Sequence, residues 1–209
     1  MLQTDVAPGV HLVSHADVNC YLVEDEDGLT LVDAGLPSFW RRIGEAIEEI
    51  GRRPSELRAL VLTHAHFDHV GVAERLRSSR GVPVWIHEAD AALAAHPYRY
   101  AHENPRAAYP IRHPRAVPIL VRMAAAGALT VRGVAEVRTT AGRSTLDVPG
   151  RPEMLPTPGH TWGHCVLQLP GRDAVLSGDA LVTLDPYTAA TGPRIVAGAA
   201  TADSELALA

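Results

Sequence analysis

The chain contains no lysine. All 19 of its basic side chains are arginine, set against 24 acidic ones, and the net charge is −5. An acidic balance argues against a nucleic-acid footprint, which would show as a basic patch or stripe. Cysteine is nearly absent too: Cys20 and Cys165 cannot make a disulfide framework. Each lies in an apolar, strand-like run, so both are expected as buried free thiols. No apolar stretch approaches membrane-spanning length. Met1 to Gly9 lacks a basic region followed by an apolar core, so no secretory signal is visible. The expectation is a cytoplasmic protein acting on a small molecule, with neither a membrane nor a nucleic acid as partner. The 209 residues, 46% of them hydrophobic, suffice for one domain with a substantial core.

Metal-binding side chains, by contrast, are concentrated in one place. Thr63-His64-Ala65-His66-Phe67-Asp68-His69-Val70-Gly71 puts three imidazoles and a carboxylate within six positions. It follows the apolar run Ala59 to Leu62, which reads as a buried strand. After it, Val72 to Ser79 has the composition of a helix. The motif therefore falls where a strand ends and a helix begins, at the rim of an α/β layer. In an extended backbone His64 and His66 point to the same side, and Asp68 and His69 follow where the chain turns. A lone Asp before a helix is commonly a cap, and Asp68 could serve as one in addition. Four such donors suit zinc, and also iron or manganese. Two adjacent metals could use them all together with further ligands.

The remaining elements alternate. Strands are expected at Gly9–Val13, Val18–Val23 and Leu29–Val32, with Asp25 to Gly28 as a turn. Ser38 is placed to cap a helix over Phe39–Ile50 that Gly51 ends. Val82–Ile86 is a further strand, and a helix starts at His87 and runs to Ala95; His87 reads as a hydrogen-bonded or surface group. From His96 to Arg115 come four Pro, three Tyr and three His, a composition suited to a lid or pocket wall. With the apolar helix Val117–Ala126 it forms an insertion over residues 96–126. Tyr98, Tyr100, His102, Tyr109 and His113 are pocket candidates as a group. Val134–Val137 and Glu153–Leu155 read as strands of a second sheet. Pro158-Gly159 sets a rigid turn able to aim His160 inward. His164, opening the strand Cys165–Leu169, reads as a supporting or structural residue.

Three ordered motifs resemble the metallo-β-lactamase-fold superfamily: His64-Ala65-His66-Phe67-Asp68-His69, Pro158-Gly159-His160 and Ser177-Gly178-Asp179. The resemblance runs from about Val10 to Leu184. It implies a single domain over 1–209 with the four-layer αββα sandwich, metals lying at one edge between the sheets. It also implies a first metal site of His64, His66 and His160, and a second of Asp68, His69 and Asp179, with the Asp179 carboxylate bridging. Asp33-Ala34-Gly35 matches a segment that supports the ligands. The family's last helix, strand and final Gly-His have no counterpart: no histidine follows His164. The expectation is a chain cut short of that segment, its second site one ligand short.

The implied activity is that of a metal-dependent hydrolase, most simply with two Zn2+, cleaving an ester, thioester or lactone. Asp68 would orient the attacking hydroxide and carry its proton. Asp at 179, where many secreted β-lactamases have Cys, and the lack of a signal peptide point away from antibiotic hydrolysis. Two alternatives stand beside it. One is a mononuclear iron oxygenase resembling persulfide dioxygenases, its iron on His64, His160 and Asp179. The other is a metal-binding domain without turnover.

Overall fold

The computed structural model describes residues 1–209. Its largest element is a seven-stranded sheet in sequence order, β1 (Leu2–Ala7), β2 (Val10–His15), β3 (Val18–Asp25), β4 (Gly28–Val32), β5 (Leu57–Val61), β6 (Val84–His87) and β7 (Arg138–Thr140). The first four strands pair antiparallel through tight turns, and the last four pair parallel through crossovers. A smaller antiparallel sheet holds β8 (Ser144–Thr145), β9 (Glu153–Pro156), β10 (Cys165–Leu169) and β11 (Ala174–Leu176). β12 (Val182–Leu184) and β13 (Thr191–Arg194) form a separate hairpin.

Alternation along the central strands separates two cores. Cys20, Leu22, Leu29, Leu31, Leu60 and Leu62 face a helical layer built from α1 (Phe39–Glu49), α3 (Ala73–Arg80) and α6 (Val117–Ala125). Val10, Val23, Val32 and Val61 face the other way, onto Leu146, Met154, Cys165, Leu167 and Leu169 around the small sheet. A sheet covered on both faces needs near-continuous apolar strands, and β4 is buried at every position. The result is the layered α/β sandwich of the resembled fold. Both cysteines are buried and unpaired. No helix is long and apolar enough to cross a membrane.

Several expectations need correction. Val134–Val137 is not a strand; the pairing residues are Arg138–Thr140, and they extend the large sheet beside β6 rather than the second sheet. Apolar residues there pack into the core without ladder bonds, as Val134 does. Ser38 precedes α1, but its hydroxyl caps nothing. The motif itself turns helical, as α2 (Phe67–Val70), and Asp68 makes no cap bond there. The helix expected from His87 is a 3-10 turn over Glu88–Asp90 followed by α4 (Ala91–Ala95).

Gly71 fixes how the motif docks. A Cβ there would collide with the Gly35 carbonyl and the Leu36 backbone. Its N–H donates to that same carbonyl at 2.8 Å, so the turn after β4 and the metal-motif turn touch backbone to backbone. The insertion 96–126 folds as short turns, α5 (Tyr109–Arg112) and α6. It is tied to the final segment by Glu103, whose carboxylate accepts from the Ser204 hydroxyl at 2.7 Å and its N–H at 2.6 Å. Ser204 opens the last helix, α7 (Ser204–Leu208).

Candidate metal centre

Two overlapping trios of donors converge at the strand ends. His64, His66 and His160 form one; His64, His69 and Asp179 form the other. Within each trio the donor atoms lie within 4.8 Å of one another. Five of the six residues expected at the site are thus brought together, with His64 common to both trios. The carboxylate of Asp68 joins neither, but it lines the same cavity of about 260 Å³ as His69 and Asp179.

The hydrogen-bond network fixes the imidazole tautomers. The Thr63 hydroxyl donates to the Asp33 carboxylate at 2.9 Å, so it is left to accept from His64 Nδ1 at 3.1 Å. The Thr201 hydroxyl donates to the Val196 carbonyl at 2.7 Å and faces His160 Nδ1 at 3.4 Å in the same way. His69 Nδ1 donates to Asp33 Oδ2 at 2.9 Å. In all three rings Nδ1 carries a proton, and Nε2 faces the centre. Carboxylates and hydroxyls behind ligating imidazoles set tautomer and orientation in this manner. His164 is oriented likewise: the Asp179 N–H donates to its Nε2 at 3.0 Å, so its Nδ1 donates to Thr157 Oγ1 at 2.8 Å. It positions the backbone of Asp179 and is not part of either trio.

His66 Nδ1 lies 2.9 Å from His160 Nε2, a contact that needs a proton or a cation between the two nitrogens. Nε2 of His64 is buried without a hydrogen-bond partner, as is Nε2 of His66. His160 Nε2 lies 3.3 Å from Asp179 Oδ2, and His69 Nε2 lies 3.4 Å from Asp179 Oδ1. Ring nitrogen facing carboxylate at these distances is favourable with a proton on Nε2 or with a metal cation between them, and imidazole with carboxylate is a donor set for zinc, iron or manganese. The residues therefore fit a metal.

The ionisation states divide between the two trios. Burial, reinforced by neighbouring imidazoles, holds His64 and His66 well below the usual histidine value and keeps them neutral. Burial would push Asp179 up, but His69 and His160 outweigh it and hold the carboxyl well below its usual range. For His69 burial again opposes the result: Asp33 and Asp179 raise it well above its usual value. Asp68 is pushed up, by burial first.

Three contributors were not visible in the sequence motifs. Asp90 is buried, and its carboxylate accepts from Ala65 N, from the Thr161 hydroxyl and from Gly163 N at 2.7–3.1 Å. It bolts the loop bearing His160 to the strand end bearing His64 and His66. Tyr187 shares a 3.1 Å hydroxyl contact with Tyr100, whose ring lies 4.1 Å from that of His66. Thr201 supports His160. The one signal for Asp90 was an acidic residue closely following a strand of the same sheet, and that alone is too common to single out. Of the insertion candidates only Tyr100 touches the trios. Tyr98 braces Ala128 and Val131, Tyr109 and His113 stack on each other, and His102 is exposed. Asp33 is the support expected of it, and His87 stands away from the centre, its Nδ1 accepting from Ala89 N.

A fold of two facing sheets with this donor cluster at their edge defines a metal-binding sandwich, and comparison with known proteins names its family. The family model described as Metallo-beta-lactamase superfamily matches residues 15–208, and the chain belongs to that superfamily. It is 28% identical over 202 residues to a Bacillus subtilis protein named Probable metallo-hydrolase YflN, covering 87% of this chain and 67% of that one. It is 29% identical to an N-acyl homoserine lactonase from a Bacillus species, covering 90% and 71%. Among solved structures it resembles the FEZ-1 metallo-beta-lactamase of Legionella gormanii, with a TM-score of 0.63 at 18% identity, covering 88% and 68%. The chain thus spans about two thirds of the length of these relatives.

Proposed function

We propose that the chain is the metal-binding body of a hydrolase that cleaves an ester, thioester or lactone of a small molecule. The observation that carries this reading is the convergence of His64, His66, His69, His160 and Asp179 into two donor trios, with Nε2 of His64 buried and without a hydrogen-bond partner. His64, His66 and His160 would hold one metal, and His69 with Asp179 and Asp68 a second, Asp179 reaching both. Zinc is the first choice for such a set. A metal held there lowers the pKa of coordinated water from 15.7 to about 7 and polarises a carbonyl oxygen.

The protein's own residues do the rest. Asp33 and Thr63 hold His69 and His64 in the required tautomer. Asp68, raised by burial, accepts a proton on its carboxylate from the attacking water and returns it to the leaving oxygen or sulfur. Met123 and Tyr187 wall the approach, and the Tyr100 ring lies against His66, which gives the insertion 96–126 the role of a pocket wall. The names of the relatives, a metallo-hydrolase and a lactonase, support the reaction class.

The test is elemental analysis of protein purified without added metal, with a turnover screen on esters, thioesters and lactones. About two zinc per chain with metal-dependent turnover supports the reading. One iron per chain with oxygen uptake on a persulfide replaces it with the oxygenase. Bound metal without turnover on any substrate replaces it with a binding module.

A further inference from the structure

A second cavity, of about 390 Å³, has His160 and Tyr100 in its wall but neither His69 nor Asp179. Its size is in the range of small-molecule pockets, roughly 300–1,000 Å³. One wall is apolar: Ala92 and Leu93 of α4 on one side, and the indole of Trp162 on the other. Trp162 is 53% exposed, although the residues flanking it, Thr161 and Gly163, are buried and held by Asp90. An indole kept open to water on a fixed loop is a ready contact surface for an apolar ligand.

The rim carries the charge of Arg99 without a counter-ion. Arg99 and His96 line the cavity, both are exposed, and neither side chain has a hydrogen-bond or ion-pair partner in the chain. Arg52, Arg77, Arg122 and Arg143, by contrast, are paired with carboxylates. The only carboxylate in the cavity wall is Asp90, and its oxygens are spent on Ala65, Thr161 and Gly163. A guanidinium fork matches a carboxylate in a bidentate manner.

We infer that this cleft is a separate binding site for an amphipathic monocarboxylate, its apolar body between α4 and Trp162 and its carboxylate on Arg99. His160 is the one member of the trios in its wall, beside Thr161, so an occupant presses on the loop that carries that residue.

The experiment is calorimetric titration of octanoate, octan-1-ol and octylamine into metal-free and zinc-loaded protein. Saturable octanoate binding to both forms is expected, at least tenfold tighter than either of the other two. Arg99→Ala should cut octanoate affinity tenfold or more without changing octanol binding. Ala92→Phe, at an exposed position, should fill the cleft and abolish both while zinc content is unchanged. Equal affinity for octanoate and octanol, or insensitivity to Arg99→Ala, overturns the assignment. So does octanoate binding that needs zinc and vanishes in His64→Ala, which would put the carboxylate on the metal instead. No binding of octanoate at millimolar concentration also overturns it.

Discussion

The two trios share His64 yet are built on different principles. The trio of His64, His66 and His160 is all imidazole, deeply buried, and made of residues whose neighbours are mostly threonines and other rings. The trio of His64, His69 and Asp179 contains a carboxylate, leans on a second carboxylate in Asp33, and opens onto the cavity of about 260 Å³ that Asp68 also lines. The first is suited to gripping a metal and the second to presenting one. The protonation chemistry differs accordingly: burial keeps His64 and His66 neutral, while opposed charges dominate at His69 and Asp179.

Removing the shared member should have the largest effect. His64→Ala should empty both trios, with a loss of metal affinity and turnover beyond the roughly 10–100-fold that a supporting group costs; elemental analysis and the substrate screen measure it. Asp33→Asn should separate the two. It weakens the tautomer lock on His69 and should lower metal affinity there by about 10–100-fold, so that one of two metals is lost first on chelator titration. Equal loss of both metals would show that the trios act as one unit.

Stability gives the next test. Asp90→Ala would strand the buried N–H groups of Ala65 and Gly163, each costing about 1–3 kcal/mol. A fall in melting temperature with slower loss of the His69-side metal than of the His160-side metal would confirm that Asp90 serves the imidazole trio. A smaller effect concerns His164, which burial first, and then the neighbouring His160, push down to about 3. Its folded value lies below its unfolded one, so on acidification the unfolded chain takes a proton that the folded chain refuses. The stability of the metal-free protein relative to His164→Gln should therefore fall as pH drops from about 6.5 toward 3, by up to about 1.4 kcal/mol per pH unit. Paired denaturant melts across that window check both slope and sign.

The motif at His64 to His69 was legible because spacing alone carries it: two residues apart on an extended backbone, then a turn. The strands β2 to β6 were legible because apolar runs bounded by turn residues have few other readings. Val134–Val137 misled because its apolar residues answer to the core and not to a partner strand. The edge strand β1 went unread because it is mostly exposed and lacks alternation. Tyr187 and Thr201 were invisible for another reason: each acts on a residue far away along the chain, across contacts to Tyr100 and His160.

By itself the sequence determined the kind of chemistry, since donor types and their local spacing decide which ions can be held. It also determined the alternating strand-and-helix order, through the period of its apolar residues. Only the tertiary structure decided which nitrogen of each imidazole faces the centre, because the proton on the other is placed by Asp33, Thr63 and Thr201. It alone joined His64 to both trios and set Asp68 in the wall of the cavity beside them, since convergence in space depends on how two sheets and a turn pack, and no local pattern encodes that.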